Sequence, residues 1–237
     1  MPGSTAQGLP RLSVRDRVTC PCCNGEFPAF LPFGHDPRAN VRCPQCGSKK
    51  RHRLLWLYLR DRTGLFTDRL RVLHFAPEKC FRKAFAALPN LDYVTADLEP
   101  GKVMLTFDIT AIPPEVGTFD AILCSHVLEH VPDDRRAIGE VFRVLNPGGW
   151  AVFMVPEETD RAETLEDPSV VTPEERERVF KQHDHVRIYG RDFGQRLAQA
   201  GFTVSAERYA ETLGQEAIKK YGLKRRQEIY FCAKPSS

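Results

Sequence analysis

The chain has 237 residues, of which 42% are hydrophobic and 27% are charged. That balance is ordinary for a folded protein with one large domain and a small appendage. No apolar run approaches the roughly 20 residues that span a bilayer, so we expect no membrane partner. The first ten residues lack a basic region and an apolar region, which argues against a secretion signal. We therefore expect a disordered lead over residues 1–17 and a cytoplasmic location.

Charge is unevenly distributed along the chain. Residues 11–62 carry 11 Lys and Arg against 4 Asp and Glu, although the formal net charge of the whole chain is only +3. A basic segment of this kind either contacts nucleic acid or phosphate, or forms a solvated face. The sequence leaves both interpretations open.

Two pairs of cysteines indicate a small metal module. Cys20 and Cys23 form one C-x2-C pair, and Cys43 and Cys46 form a second pair after a 19-residue spacer. Four thiolates at this spacing predict a structural zinc ribbon over residues 18–48, because a closed tetrahedral site leaves no open position for catalysis. Two disulfides are the alternative, which a cytoplasmic location disfavours. Cys22 could replace Cys20 or Cys23 as a ligand.

A linker helix is predicted over residues 49–64, where a basic start leads into a leucine-rich apolar face. Positive charge at a helix N-terminus opposes the helix dipole. The cluster over residues 49–53 therefore indicates either an anionic contact or a solvated face.

The stretch over residues 70–97 reads as strand, turn, helix and strand. A short apolar run ends at His74 and Phe75, and Pro77 suits the first position of a helix. Asp97 closes the second strand, 23 residues after His74. A carboxylate in that position can accept hydrogen bonds from ribose hydroxyls, so the stretch predicts a nucleotide-binding β-α-β unit. The turn over residues 74–78 contains no glycine, so the G-x-G-x-x-G fingerprint is absent.

The remainder of the chain continues the alternation of strands and helices. Seven strands and about six helices predict an α/β domain over residues 65–237 with a doubly wound, mostly parallel sheet. Its later strands are expected at residues 102–107, 118–124, 150–155, 202–208 and 228–233. Residues 156–188 are polar and break the rhythm, which is typical of a lid-like insertion.

Two histidines follow the predicted fourth strand, at the edge where open α/β sheets bind ligands. His126 and His130 are therefore candidate general bases, or else they close the loop through hydrogen bonds. His183, Asp184 and His185 could suggest a second metal site, but hydrogen-bonding roles in a polar loop are the favoured interpretation.

Several segments in this order resemble the class I S-adenosylmethionine-dependent methyltransferases. Asp97 matches their ribose-binding position, and Phe107-Asp108-Ile109 matches the segment beside the adenine ring. The run FDAILCSHVLEHVPDD is similar to the fourth strand and following loop of the ubiquinone-type small-molecule enzymes. The cysteine-rich head, KKRHRLLWLYL and LHFAPE resemble a bacterial subgroup that carries a zinc ribbon.

The resemblance implies a cofactor site built from the ends of the strands. The implied cofactor-binding residues are His74, Phe75, Ala76, Glu78, Asp97, Leu98, Asp108, Ile109 and Ser125. His74 stands where the family carries an acidic residue, and Glu78 either supplies that charge or complements the helix dipole. Asp97 could instead cap a loop, and Asp108 could cap a turn.

The function that follows is S-adenosylmethionine-dependent methyl transfer to an oxygen or nitrogen of a small molecule. In this hypothesis the lid contributes His185, Arg187 and Tyr189 to substrate recognition, and no oligomeric state follows from the sequence. One alternative is an RNA methyltransferase that grips nucleic acid with the ribbon and the basic helix. Another alternative is a non-catalytic scaffold that binds a partner.

Overall fold

The structure is a computed structural model that describes residues 17–34, 38–101 and 103–236. The predicted lead lies outside the described residues except for Arg17, and so does Lys102 at the predicted start of the third strand. Within the described ranges, no helix is both long enough and apolar enough to cross a bilayer.

The secondary structure alternates along most of the chain. The strands are β1 (Val18–Thr19), β2 (Glu26–Phe27), β3 (Leu31–Phe33), β4 (Arg38–Arg42), β5 (Leu70–Phe75), β6 (Leu91–Asp97), β7 (Leu105–Thr106), β8 (Phe119–Ser125), β9 (Leu145–Met154), β10 (Leu165–Glu166), β11 (Arg187–Ile188), β12 (Thr203–Glu207) and β13 (Ile229–Ala233). The α-helices are α1 (Lys50–Arg62), α2 (Lys79–Ala86), α3 (Asp134–Val144), α4 (Pro173–Phe180), α5 (Phe193–Gln199), α6 (Tyr209–Thr212) and α7 (Gly214–Tyr221).

Seven strands form one central sheet in the order β12-β13-β9-β8-β5-β6-β7. The strand pairs from β7 across to β9 are parallel, whereas β13 runs antiparallel to both of its neighbours. The predicted seven-stranded, mostly parallel, doubly wound sheet is confirmed. The strand order changes direction between β5 and β8, because β6 lies on one side of β5 and β8 on the other. A crevice at the carboxyl ends of two such strands is the usual ligand site of this architecture.

Helices cover both faces of the sheet because the buried strands are apolar on both sides. Leu73 and Phe75 of β5 point into one apolar cluster, which includes Ile138 of α3. Val72 points to the opposite face, into a second cluster that includes Leu54 of α1 and Phe81 of α2. Asp133 caps the N-terminus of α3, since its carboxylate accepts a hydrogen bond from Arg136 N at 3.0 Å.

Two predicted strand boundaries differ from the structure. The third strand is only two residues long, and β9 begins at Leu145 rather than at Trp150. Residues 146–149 are included in β9, and the pairing with β8 shifts register there. The helices α6 and α7 are separate because Gly214 adopts a left-handed backbone with φ 78° between them.

Arg53 of α1 joins the cysteine-containing hairpins to the main domain. Its fully buried guanidinium donates to the carbonyls of Val41 and Ser48 at 3.0 and 2.8 Å. It also donates to the carbonyls of Tyr221 and Gly222 at 2.6 and 2.9 Å. The basic cluster over residues 49–53 is thus not uniformly solvated, because Arg53 is buried and hydrogen-bonded to backbone carbonyls.

We expect Arg53→Lys to lower the unfolding free energy by about 3 kcal/mol, because one ammonium cannot replace the planar guanidinium that donates to four carbonyls. For a chain of this size that corresponds to a fall in melting temperature of roughly 6–12 °C, measured by calorimetry. Arg60→Lys is the matched control, since Arg60 lies on the same helix but is exposed. Equal melting temperatures for the two variants would contradict the assigned role of Arg53.

Candidate functional site

A cavity of about 560 Å³ opens at the carboxyl edge of the sheet, where the strand order changes direction. This volume lies within the range of small-molecule sites. The lining residues come from the segments that follow β5, β6, β7 and β8, with one contribution from the insertion: Phe75, Ala76, Asp97, Leu98, Glu99, Phe107, Asp108, Ile109, His126, Val127, His130, Val131, Pro132 and Asp184. We call this the edge cavity.

Two non-glycine residues with left-handed backbones form the inner corner of the edge cavity. Ala76 follows β5 with φ 43°, and His126 follows β8 with φ 56°. Ala76 N donates to Ala96 O at 2.8 Å, and His126 N donates to Met154 O at 2.7 Å, so the neighbouring strands hold both residues in place. Strained backbone of this kind is concentrated at functional sites. The chain therefore makes a left-handed turn after β5 without a glycine.

Both predicted carboxylates reach the edge cavity. Asp97 Oδ1 accepts a hydrogen bond from Glu99 N at 3.3 Å, and Asp108 Oδ1 accepts from Thr110 N at 2.8 Å. Each carboxylate thus caps its own loop, as the alternative interpretations predicted, and uses one oxygen to do so. The second oxygen of each can serve a ligand, so loop capping and ligand binding are compatible.

Apolar side chains form the walls between these carboxylates. Phe75 and Ile109 are buried, and the rings of Phe75 and Phe107 meet edge to face at 6.1 Å. Leu98 lies at the mouth and is 67% exposed, an unusual state for leucine. Ser125 ends β8 and is buried, and it is not one of the residues that line the edge cavity in the described structure.

His74 and Glu78 lie on the opposite face of β5 from the edge cavity. His74 is fully buried, and its ring contacts Glu78 Oε2 at 2.9 Å and the hydroxyl of Tyr93 at 2.8 Å. Burial alone would raise the pKa of Glu78, but hydrogen bonding and charge from His74, with charge from His52, lower it to about 2. His74 and Glu78 thus form a buried pair that supports the turn, and neither is among the described residues that line the edge cavity, so their expected contact with the cofactor stays a prediction.

A second cavity of about 500 Å³ adjoins the edge cavity and shares His126 and His130 with it. We call it the basic cavity, because its lining includes five cationic side chains against three carboxylates. The cations are Arg38, Lys49, Arg51, Lys181 and Lys224, and the carboxylates are Glu129, Glu157 and Glu158. Lys49 and Arg51, at the basic start of α1, both line this cavity.

His126 is held by a carboxylate that sequence reasoning did not single out. Its Nδ1 lies 3.0 Å from Glu129 Oε1, and Glu129 is only 1% exposed. His126 Nε2 is buried and finds no hydrogen-bond partner among the described residues. A histidine that lines a cavity and is oriented by a carboxylate is suited to accept a proton. The i, i+3 spacing of His126 and Glu129 was the only available sequence signal.

His130 and His185 meet beside this pair, although 54 residues separate them in the chain. Their ring centroids are 4.8 Å apart at 82°, and His130 Nδ1 lies 3.3 Å from the Asp184 carboxylate. Burial lowers the pKa of His185. His185 lines the basic cavity, so its predicted role at the substrate remains compatible with its position.

Arg187 and Tyr189, the other two predicted substrate residues, hold the insertion in place instead. Arg187 is buried and donates to the carbonyls of Leu128 and Pro132, both at 2.8 Å. The Tyr189 hydroxyl donates to Asp134 at 2.9 Å. Both polar ends are bound to protein groups that hold residues 187–189 against the loop after β8, and the expected substrate contact of these two residues stays a prediction.

The four predicted zinc ligands come together between the β1–β2 and β3–β4 hairpins. Cys20 Sγ lies 3.5 Å from Cys46 Sγ, Cys23 Sγ lies 3.7 Å from Cys43 Sγ, and all four sulfurs are within 4.8 Å of one another. Four thiolates bound to one zinc ion would be about 3.8 Å apart, so the cluster fits a tetrahedral metal. Cys22 Sγ lies 3.9 Å from His52 O and is not one of the four clustered sulfurs, and all eight cysteines are free thiols.

Comparison with known proteins places this chain in a family. The sequence profile described as a methyltransferase domain matches residues 41–207, which is more than half of the chain. The chain belongs to the methyltransferase domain family. The match begins ahead of residue 65, where the sequence alone placed the start of the methyltransferase domain.

Curated relatives match the methyltransferase domain over short segments. The ubiquinone biosynthesis O-methyltransferase of Burkholderia vietnamiensis is 32% identical over 72 residues, covering 28% of this chain and 31% of that protein. The enzyme of the same name from Thiobacillus denitrificans is 43% identical over 37 residues, 16% of each chain. The chain thus matches less than a third of the length of these relatives.

Solved structures share the fold. An O-methyltransferase family protein from Burkholderia thailandensis superposes with a TM-score of 0.52 at 14% identity, over 78% of this chain and 58% of that one. The [4+2]-cyclase SpnF superposes with a TM-score of 0.52 at 16% identity, over 88% and 87%. Identities this low establish the fold of class I methyltransferases alone.

We expect Ala76→Gly to change the unfolding free energy by less than about 1 kcal/mol, because relief of the left-handed strain offsets the entropy of glycine in the unfolded chain. Ala76→Val adds a β-branched side chain at positive φ and should destabilise the protein by about 2 kcal/mol. Urea denaturation measures both. A destabilising glycine together with a neutral valine would show that this backbone is not strained.

Glu78→Gln should lower the unfolding free energy near pH 7 by on the order of 3 kcal/mol, since the folded-state pKa of Glu78 lies below its ordinary value. That stabilisation is fully present above about pH 5 and is lost as the pH falls through the ordinary value of about 4.5 toward 2. Urea denaturation at a series of pH values should therefore show wild type and variant converging in acid. A constant difference down to pH 2.5 would contradict the ion pair.

Proposed function

We propose that this protein is an S-adenosylmethionine-dependent methyltransferase that methylates an oxygen of an anionic small molecule. The observation that carries the proposal is the meeting of two cavities at His126, one suited to a nucleoside and the other rich in cations. The named function of the matching curated relatives supports oxygen as the acceptor atom.

The residues that line the edge cavity fit the cofactor. Asp97 is positioned to accept hydrogen bonds from ribose hydroxyls, and Phe75, Phe107 and Ile109 offer apolar walls for the adenine. Asp108 lies beside those walls and can accept from the exocyclic amine. When bound, S-adenosylmethionine supplies an electrophilic methyl group. Its positive charge is favoured near the carboxylates of this cavity.

His126 is the proposed general base. Glu129 fixes one ring nitrogen, and the other has no hydrogen-bond partner among the described residues and is proposed to take the hydroxyl proton of an acceptor. The cations of the basic cavity would orient a carboxylate or phosphate group on the acceptor. Enclosure by the insertion over residues 156–188 would keep water from the reacting atoms.

The four-cysteine cluster is proposed to hold one structural zinc ion. Its sulfur separations suit that metal, and four protein ligands leave no position for a substrate. The zinc would fix the two hairpins that Arg53 fastens to the main domain. A cytoplasmic location is consistent with the free thiols and remains a prediction.

The RNA alternative also remains a prediction, and the fold limits how it can be tested. Charge reversal at Arg53 would disrupt buried hydrogen bonds, so such a test belongs at Lys50. The scaffold alternative was founded on the glycine-free turn. Ala76 adopts the left-handed conformation without glycine, so the missing glycines do not by themselves favour a scaffold.

Calorimetric titration with S-adenosylhomocysteine tests the cofactor site. We expect one molecule to bind per chain, and Asp97→Asn to weaken binding by about tenfold or more through loss of a charge-assisted hydrogen bond. Asp92→Asn on the same strand is the matched control, because Asp92 is exposed and pairs with Arg71. Absence of binding at millimolar concentration would refute the proposal.

Methylation of a panel of phenolic carboxylic acids tests the base. We expect His126→Gln to bind S-adenosylhomocysteine as wild type does but to lower turnover by about 100-fold or more. Undiminished turnover in that variant would show that the reaction proceeds by positioning alone.

A further inference from the structure

Three potential metal ligands converge at the wall between the edge cavity and the basic cavity. Glu129 and His130 follow β8, and His185 comes from the insertion. One ligand atom from each lies within 4.8 Å of the other two, and Glu129 and His185 are buried. The sequence favoured hydrogen-bonding roles for the His-x-His loop, because it could not show that Glu129 and His130 lie against it.

An unpartnered buried carboxylate oxygen is the second observation. Glu129 uses Oε1 to hold His126, whereas its Oε2 is buried and without a hydrogen-bond partner among the described residues. Leaving such an oxygen unpaired is costly. A bound cation would satisfy it without disturbing the contact to His126.

The surroundings of His130 support the same conclusion. Its Nδ1 contacts both the carboxylate and the backbone carbonyl of Asp184 at 3.3 Å. That arrangement fixes the ring, and no hydrogen bond of Nε2 is seen within the described residues. Histidines that bind metals commonly present their other nitrogen to a carboxylate or carbonyl in this way.

We propose that Glu129, His130 and His185 bind one divalent transition-metal ion at the wall between the two cavities. Two imidazoles and one carboxylate are the ligand set of open sites for Mn²⁺, Fe²⁺, Co²⁺ or Zn²⁺, which keep positions for water or substrate. Bound ligands of such an ion lie about 3–4 Å apart, so the three side chains need to close by only about 1 Å.

The role of this metal site in catalysis rests on the proposed methyltransferase function. An acceptor hydroxyl could occupy an open position, where the metal would favour its ionised form while His126 takes the proton. The acceptor would then carry two or more oxygens. One oxygen would bind the metal, and an anionic group would pair with Lys49 or Arg51 in the basic cavity. The acceptor class is then a chelating, anionic oxygen compound such as a dihydroxylated aromatic acid.

Manganese separates this site from the cysteine cluster, because thiolates bind Mn²⁺ weakly compared with Zn²⁺. The full chain, treated with a mild chelator and then shown to retain one zinc ion, is titrated with MnCl₂ and followed by electron paramagnetic resonance of free Mn²⁺. We expect one Mn²⁺ to bind per chain, and Glu129→Gln and His185→Gln each to weaken its binding by tenfold or more. His183→Gln is the matched control, since His183 lies in the same loop but is exposed.

Two outcomes overturn the site: no Mn²⁺ binding at millimolar concentration, or equal binding by wild type and both ligand variants. Circular dichroism melts check that the variants are folded, and a folded His130→Gln variant replaces either one that is not. Calorimetry with S-adenosylhomocysteine is run on the same samples. Cofactor binding without Mn²⁺ binding refutes the metal site alone, whereas Mn²⁺ binding without cofactor binding refutes the proposed function alone.

Discussion

The left-handed backbones at the ends of two adjacent strands are the constraint on which the site depends. Ala76 and His126 turn the chain sharply after β5 and β8, so that the edge cavity opens between them. Neither residue is glycine, and each left-handed residue costs about 1–2 kcal/mol that surrounding contacts must offset. The hydrogen bonds to β6 and β9, and the buried pair of His74 with Glu78, provide that support.

The same edge gathers groups from distant parts of the chain. Arg187 fastens the insertion to the loop after β8, which brings His185 beside His130. Arg53 fastens the cysteine hairpins to α7, which leaves Lys49 and Arg51 facing the basic cavity. Arg53 and Arg187 thus position the polar groups of the site. Lys49 and Arg51 line the basic cavity, where they can contact a ligand.

The fold was largely predictable from sequence because the alternation of buried strands and amphipathic helices is a local pattern. The positions of Asp97, Asp108 and His126 followed from strand ends, which share one edge of a parallel sheet. Arg53, Arg187 and Glu129 were not predictable in the same way. Their partners lie far along the chain or on the far side of a turn, and sequence spacing does not encode such contacts. The burial of His74 against Glu78 was likewise not apparent from sequence spacing.

Hydrogen–deuterium exchange with and without S-adenosylhomocysteine tests the central claim most directly, because it reports where the ligand acts on the backbone. The account predicts slower exchange at residues 75–77, 97–99, 107–110 and 126–132, with unchanged exchange in the cysteine hairpins. Protection confined to other regions, or none at saturating ligand, would contradict the placement of the cofactor in the edge cavity.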